Sequence, residues 1–250
     1  MDRLKTVIHV HTTWSHDSNA RPADVVELAL ARGVQVVAIT DHDEIGGAIE
    51  AQARRRAGVQ VIVGEEISTT DGHIIGLFLT DRIPPGLSGE ETCRRIRAQG
   101  GLVLAPHPYT ILCSGSLGGA ALRKLLPWLD AVEVCNAQDP LAWENRWAQH
   151  FRAEHGLAGY VGADAHIRGH LDACYQLVTP FAGPAEFREA LRAAQLVPGR
   201  FGPAYFARMA GRHVYEAIAR RPWPGFGVHV PARRPAAEPD AADDASLQVD

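Results

Sequence analysis

Residues 6–11 read Thr6-Val7-Ile8-His9-Val10-His11, an apolar, β-branched run that stops on two histidines one residue apart. β-Branched side chains favour extended backbone, and alternate residues of a strand point the same way, so His9 and His11 share a face. The next apolar run, residues 35–40, ends in Thr40-Asp41-His42-Asp43. The third, 59–64, gives way to Glu65-Glu66, and the fifth, 102–105, to Pro106-His107-Pro108. The seventh, 159–162, leads into Asp164-Ala165-His166. A fourth run over 73–79 opens on His73 instead of ending on a polar residue, a sixth covers 131–135, and a short eighth lies at 175–178.

Between these runs, residues 22–32, 45–57, 89–99, 120–128 and 141–155 carry apolar side chains at helical spacing. Gly33, Gly58, Gly100 and Gly156 stand where left-handed caps would end such helices. Apolar strands alternating with helices predict an α/β fold with a parallel sheet, either a barrel or a doubly wound sheet. Polar, metal-competent residues after several different strands favour the barrel. A doubly wound sheet would carry a Gly-rich phosphate loop after its first strand, where this chain has His-Val-His. The expected organisation is a barrel over residues 1–180, a helical extension over 181–221 with helices at 184–194 and 203–219, and a disordered Pro/Ala/Asp-rich tail over 222–250.

With 250 residues and 46% hydrophobic content, the chain can bury a core without disulfides or structural metal, so a metal site here is expected to be functional. The net charge of -4 gives no global basic field for nucleic acid. The clusters Arg54–Arg55–Arg56 and Arg94–Arg95–Arg97 read as solvated helix faces. Cys93, Cys113, Cys135 and Cys174 form no CxxC pair. The polar start is unlike a signal peptide and no run reaches membrane-spanning length, so a cytoplasmic location without membrane contact is expected.

A single histidine after a strand is ordinarily structural. Five strands each followed by His, Asp or Glu point to a metal site at the barrel mouth. Asp17, in the loop Trp14-Ser15-His16-Asp17, is placed to fold back over it.

In this order, His9-Val10-His11, Asp17, Thr40-Asp41-His42-Asp43, Gly64-Glu65-Glu66, Gly72-His73-Ile74-Ile75-Gly76, Ala105-Pro106-His107-Pro108 and Asp164-Ala165-His166 resemble the PHP (polymerase and histidinol phosphatase) family, small stand-alone branch. The resemblance implies a distorted (β/α)7 barrel with a short C-terminal helical extension. It implies two or three divalent ions, manganese first, with zinc, iron or magnesium as alternatives. His9, His11, Glu66 and Asp164 would hold one ion. Glu66 would bridge to a second, also bound by His73 and His107. Asp17, His42 and His166 would hold a third. The implied activity is hydrolysis of a small phosphomonoester, for example a nucleoside 3′,5′-bisphosphate, by metal-bound hydroxide.

Candidates for protonating the leaving group are His42, Asp43, His16 and His170. Arg168 and His170 are expected to hold the substrate, since guanidinium binds phosphate bidentately. Glu66 and Asp164 are counted with His42 and Asp43 as the catalytic set. The expected partner is a small phosphate ester. Three alternatives remain open from the residues: a hydrolase of amides or lactones using the same ligands, an exonuclease acting on RNA or DNA ends, and an inactive scaffold. Extended nucleic acid is disfavoured, because strands need a basic groove and stacking aromatics and only 7% of residues are aromatic.

Overall fold

Seven strands close into a ring: β1 (Leu4–Val10), β2 (Val36–Ile39), β3 (Gln60–Thr69), β4 (Gly72–Leu77), β5 (Leu102–Ala105), β6 (Ala131–Asn136) and β7 (Ala158–Ala165). The order is sequential, and closure comes from β1 bonding to both β2 and β7. Helices α1 (Pro22–Ala31), α2 (Gly46–Ala53), α3 (Gly89–Ala98), α4 (Gly118–Leu125) and α5 (Ala142–His155) connect the strands. The computed structural model describes residues 2–111, 115–139, 141–202 and 205.

Local chemistry accounts for the connections. In α3, the Ser88 hydroxyl accepts from Glu91 N, Glu90 and Glu91 occupy the first turn, and Arg95 and Arg97 the last. Each satisfies an orphan amide or opposes the helix dipole. Gly156 ends α5 in the left-handed conformation, φ 63°.

Three sequence expectations change. The sheet is not all parallel: β4 runs antiparallel to β3 and β5. Only Thr70 and Asp71 separate β3 from β4, too few for a crossover helix, so the pair is a hairpin. β3 therefore continues through Glu65 and Glu66 to Thr69 instead of stopping at Gly64, because β4 pairs with it beyond the reach of β2. Finally, α2 ends at Ala53, which leaves Arg55 and Arg56 outside it; nothing from Arg54 to Gly58 offers an apolar side chain larger than alanine to bury.

The eighth run is present as β8 (Tyr175–Val178), antiparallel to the first half of β1. After it come α6 (Pro184–Arg192) and β9 (Gln195–Val197), a strand where the sequence suggested only helix. The expected helix at 203–219, apart from Tyr205, and the tail at 222–250 lie outside the described residues.

The interior of the barrel divides along its axis. Near the start of the parallel strands, Ile8, Val36, Ile62, Leu77, Leu104 and Tyr160 form an apolar plug, sealed by Phe187 and Leu191 of α6. Two outer cores lie on the helix side, one with Val25, Val37 and Ile39, the other with Ile67, Ile96 and Leu125. At the other end of the barrel the buried residues are His9, His11, Glu66, His107 and Glu133. No helix among the described residues is long and apolar enough to cross a membrane.

Candidate metal centre

Six histidines and three carboxylates meet at this end in four overlapping groups, each with ligand atoms within 4.8 Å of one another. The groups are His9–His11–Asp164, His9–Glu66–His107, His42–Glu66–His73 and His11–Asp17–His42–His166. His73, at the start of its strand, reaches the cluster because β4 is reversed: the beginning of an antiparallel strand lies beside the ends of its parallel neighbours.

Backbone strain accompanies the convergence. His9, His107 and Asp164 have φ of 69°, 23° and 46°. A side chain in this region costs about 1–2 kcal/mol, a cost found mostly at functional sites. At His9 the strain makes a bulge, with the register of β1 shifting against both neighbours between Val7 and Val10. His9 and His11 both still face inward, fully buried.

The hydrogen-bond chemistry shows what the donor set suits. His9 Nδ1 is 3.0 Å from the Glu133 carboxylate, which can only accept, so this nitrogen carries a proton. In the neutral ring His9 Nε2 then presents a lone pair, 3.1 Å from Glu66 Oε2 and 3.5 Å from Asp164 Oδ1. His11 Nε2 is buried with no hydrogen-bond partner, 3.3 Å from Glu66 Oε2 and 3.4 Å from Asp164 Oδ1. When both rings are neutral with the proton on Nδ1, two imidazole lone pairs and two carboxylate oxygens face one point. A tetrahedral ion about 2.0–2.2 Å from each donor would need edges of about 3.3–3.6 Å, close to those present. Asp17 Oδ1 is likewise buried and unpartnered, while its Oδ2 lies 3.1 Å from His166 Nε2. The donor set fits divalent cations.

Without cations, protons take their place. Burial opposes charge on His9, but Asp164, Glu66 and Glu133 outweigh it and hold its pKa well above the usual imidazole range. Burial likewise opposes charge on His42, and Glu66 and Asp17 carry it up to about 9. Burial would raise Glu66 and Asp164, yet the surrounding histidines hold both far below ordinary carboxylates.

Two expected residues, Asp43 and His170, stay outside the cluster. Asp43 turns away, its carboxylate accepting from Ser68 N at 2.7 Å and Ser68 Oγ at 2.9 Å. His170 lies against Phe201 and Tyr205, with ring centroids 4.0 and 5.0 Å away. Arg168 begins the 3₁₀ turn Arg168–His170 that follows His166. His16 is exposed, 5.5 Å from His42 between ring centroids. The sequence reading passed over Glu133, Asn136 and Gln138. Asn136 Nδ2 donates to Glu133 Oε2 at 2.9 Å and Asp164 Oδ2 at 3.1 Å, and Gln138 Nε2 is 3.0 Å from His166 Nδ1. A glutamate inside the otherwise apolar run Val132-Glu133-Val134 was the available signal.

Comparison with known proteins agrees with this geometry. The chain is 44% identical over 145 residues to an uncharacterized protein of Methanocaldococcus jannaschii, covering 54% of this chain and 82% of the relative. It is 34% identical over 132 residues to a 3′,5′-nucleoside bisphosphate phosphatase of Chromobacterium violaceum, covering 51% of this chain and 44% of that one. In structure it resembles a two-domain Bacteroides vulgatus protein containing a predicted PHP-like metal-dependent phosphoesterase, with TM-score 0.66, 19% identity and coverage of 78% and 65% of the two chains. The PHP domain model matches residues 8–202, a span that begins in β1 and passes every residue of the cluster, and the chain belongs to the PHP domain family.

Proposed function

We propose that this protein is a metal-dependent phosphoesterase acting on a small phosphate monoester, with nucleoside 3′,5′-bisphosphates as the first class to test. The observation that carries the reading is the convergence of His9 Nε2, His11 Nε2, Glu66 Oε2 and Asp164 Oδ1 on one point. The likeness to the Chromobacterium violaceum phosphatase supports the substrate class, over part of each chain.

In this reading His9, His11, Glu66 and Asp164 hold one divalent ion, Glu66 with His73 and His107 a second, and Asp17, His42 and His166 a third. Bound cations would acidify water toward a pKa of ~7 and offset the negative charge that protects phosphate esters, with manganese our first choice. Glu66 suits the bridging role: its Oε1 lies 3.0 Å from His73 Nδ1 and 2.9 Å from His107 Nε2, while Oε2 faces His9. Asp17, His42, His73 and His166 are half-buried and His9, His11, Glu66 and His107 buried, so substrate approaches over the first four. Arg168 remains our candidate for a second, non-reacting phosphate. With the Asp43 carboxylate occupied by Ser68, the exposed His16 is the better candidate for protonating the departing alkoxide.

The test is phosphate release by manganese-loaded protein across a nucleoside 3′,5′-bisphosphate, a mononucleotide, a sugar phosphate, histidinol phosphate and a short 5′-phosphorylated RNA. Preference for the bisphosphate, lost in His9→Ala, is expected. Silence across the panel by protein with bound metal would overturn the phosphoesterase reading in favour of a carbonyl substrate. His16→Ala should lower kcat on alkyl phosphates and much less on p-nitrophenyl phosphate, whose leaving group needs no proton.

A further inference from the structure

Two of the central histidines are held from behind by buried polar groups that face no opening. Ser15 Oγ lies 3.1 Å from His11 Nδ1, donates to Asp41 Oδ1 at 3.0 Å and accepts from His42 N at 2.9 Å. A hydroxyl has one hydrogen, and Asp41 receives it, since a carboxylate can only accept. The lone pairs of Ser15 Oγ are then filled by His42 N–H and by a proton on His11 Nδ1. Asp41 is fixed in turn by Thr12 N at 2.5 Å and Thr12 Oγ1 at 2.8 Å.

Glu133 does the same for His9 from the opposite side. Its Oε1 receives His9 Nδ1, and its Oε2 accepts from His107 N at 2.6 Å and Asn136 Nδ2 at 2.9 Å. All three partners donate, so an amide cannot replace the carboxylate in either orientation without setting donor against donor.

The backbone makes room for both devices. A Cβ on Gly162 would lie 1.5 Å from Glu133 Oε1, and one on Gly47 would lie 2.0 Å from Asp41 Oδ2. Each carboxylate therefore occupies space that only glycine leaves.

We infer that the Glu133–His9 pair and the Asp41–Ser15–His11 chain lock these imidazoles as Nδ1–H tautomers with their Nε2 lone pairs aimed at the centre. Glu133, Ser15 and Asp41 are positioning residues: they lie outside the four ligand groups and act through His9 and His11. Outer partners of this kind fix ring orientation and raise ligand basicity. The inference rests on the metal-centre reading for its purpose, but the tautomers can be measured without it.

The experiment combines zinc affinity, by chelator competition, with nitrogen-15 histidine spectra of the zinc-loaded protein. In the unaltered chain, His9 and His11 should each show a slowly exchanging Nδ1–H and a metal-shifted Nε2. Glu133→Gln and Ser15→Ala should each weaken zinc by about 10–100-fold and lose the Nδ1–H signal of their own histidine, and Ser15→Thr, which keeps the hydroxyl, should restore both. Folding is followed by the near-ultraviolet circular dichroism of each variant. Folded variants with unaltered zinc affinity and tautomers would overturn the inference. If Glu133→Gln does not fold, Ser15→Ala and its threonine rescue decide. If the unaltered chain binds no zinc, the metal-centre reading fails. Metal-free spectra on the alkaline side of the histidine titrations then separate the two ideas: Nδ1–H at His9 and His11 upholds the locks, and Nε2–H overturns them.

Discussion

The two ends of the barrel are built on opposite principles. At one end Ile8, Ile62, Leu77 and Leu104 pack as any core does, gaining stability from area removed from water. At the other end His9, Glu66, His107 and Asp164 are brought together against desolvation and, at three of these four positions, in an unfavourable backbone conformation. The first end makes the fold; the second uses some of the stability the first provides, as functional sites commonly do.

The sharpest way to break the comparison is at the polar end. Asp164→Asn should lower phosphate release by about a thousandfold or more and weaken metal binding. Near-normal turnover would remove Asp164 from the centre. At the apolar end Leu104→Ala should do the reverse, costing about 2–5 kcal/mol in chemical denaturation with kcat of the folded fraction retained.

A smaller effect follows from proton linkage. His42 titrates near 9 in the metal-free fold, against 6.5 for an unperturbed imidazole, so its charge stabilises the fold fully below 6.5 and is lost as pH rises toward 9. A metal-loaded chain has no such proton to lose. The melting-temperature gap between loaded and chelated protein should widen from pH 6.5 to 9, and a constant gap would count against cations replacing protons.

The smallest effect belongs to Asp139, which burial, helped by Glu133 and Glu144, carries up to about 7. Its unfolded carboxyl ionises near 3.8, so the cost of burying it grows between about pH 4 and 7 and is complete above. Asp139→Asn should therefore stabilise the protein by roughly 1 kcal/mol at pH 8 and by less at pH 5.

Much of this was legible because the chain announces its mouth residues in the same way each time, an apolar strand followed by His, Asp or Glu. His9, His42, His107 and Asp164 were readable on that basis. Asp43 was not, because Thr40-Asp41-His42-Asp43 offers three polar side chains and only their packing decides which faces in. There Asp41 locks Thr12 and Ser15, Asp43 holds Ser68, and His42 alone reaches the cluster. The bulge at His9 was hidden as well, since a non-glycine residue enters the left-handed region only when tertiary contacts compel it. The reversal of β4 could have been suspected from the short gap before His73, a residue whose position at a strand start looked anomalous only under an all-parallel sheet.

That reversal has a consequence for how related chains can vary. Four of the intervals between successive cluster residues, such as Asp17 to His42 and His73 to His107, contain a helix and loops on the outside of the barrel, where insertions and deletions can accumulate without moving either end. Glu66 and His73 are joined only by hairpin backbone, seven positions apart, with Ser68 opposite His73 across the ladder. One residue gained or lost there would shift the register and turn the imidazole to the other side of the sheet. Among diverging relatives that keep the cluster, this interval should stay as constant as those within His9-Val10-His11 and Asp164-Ala165-His166 while the helix-bearing ones drift, giving an alignment a fixed point from which to count.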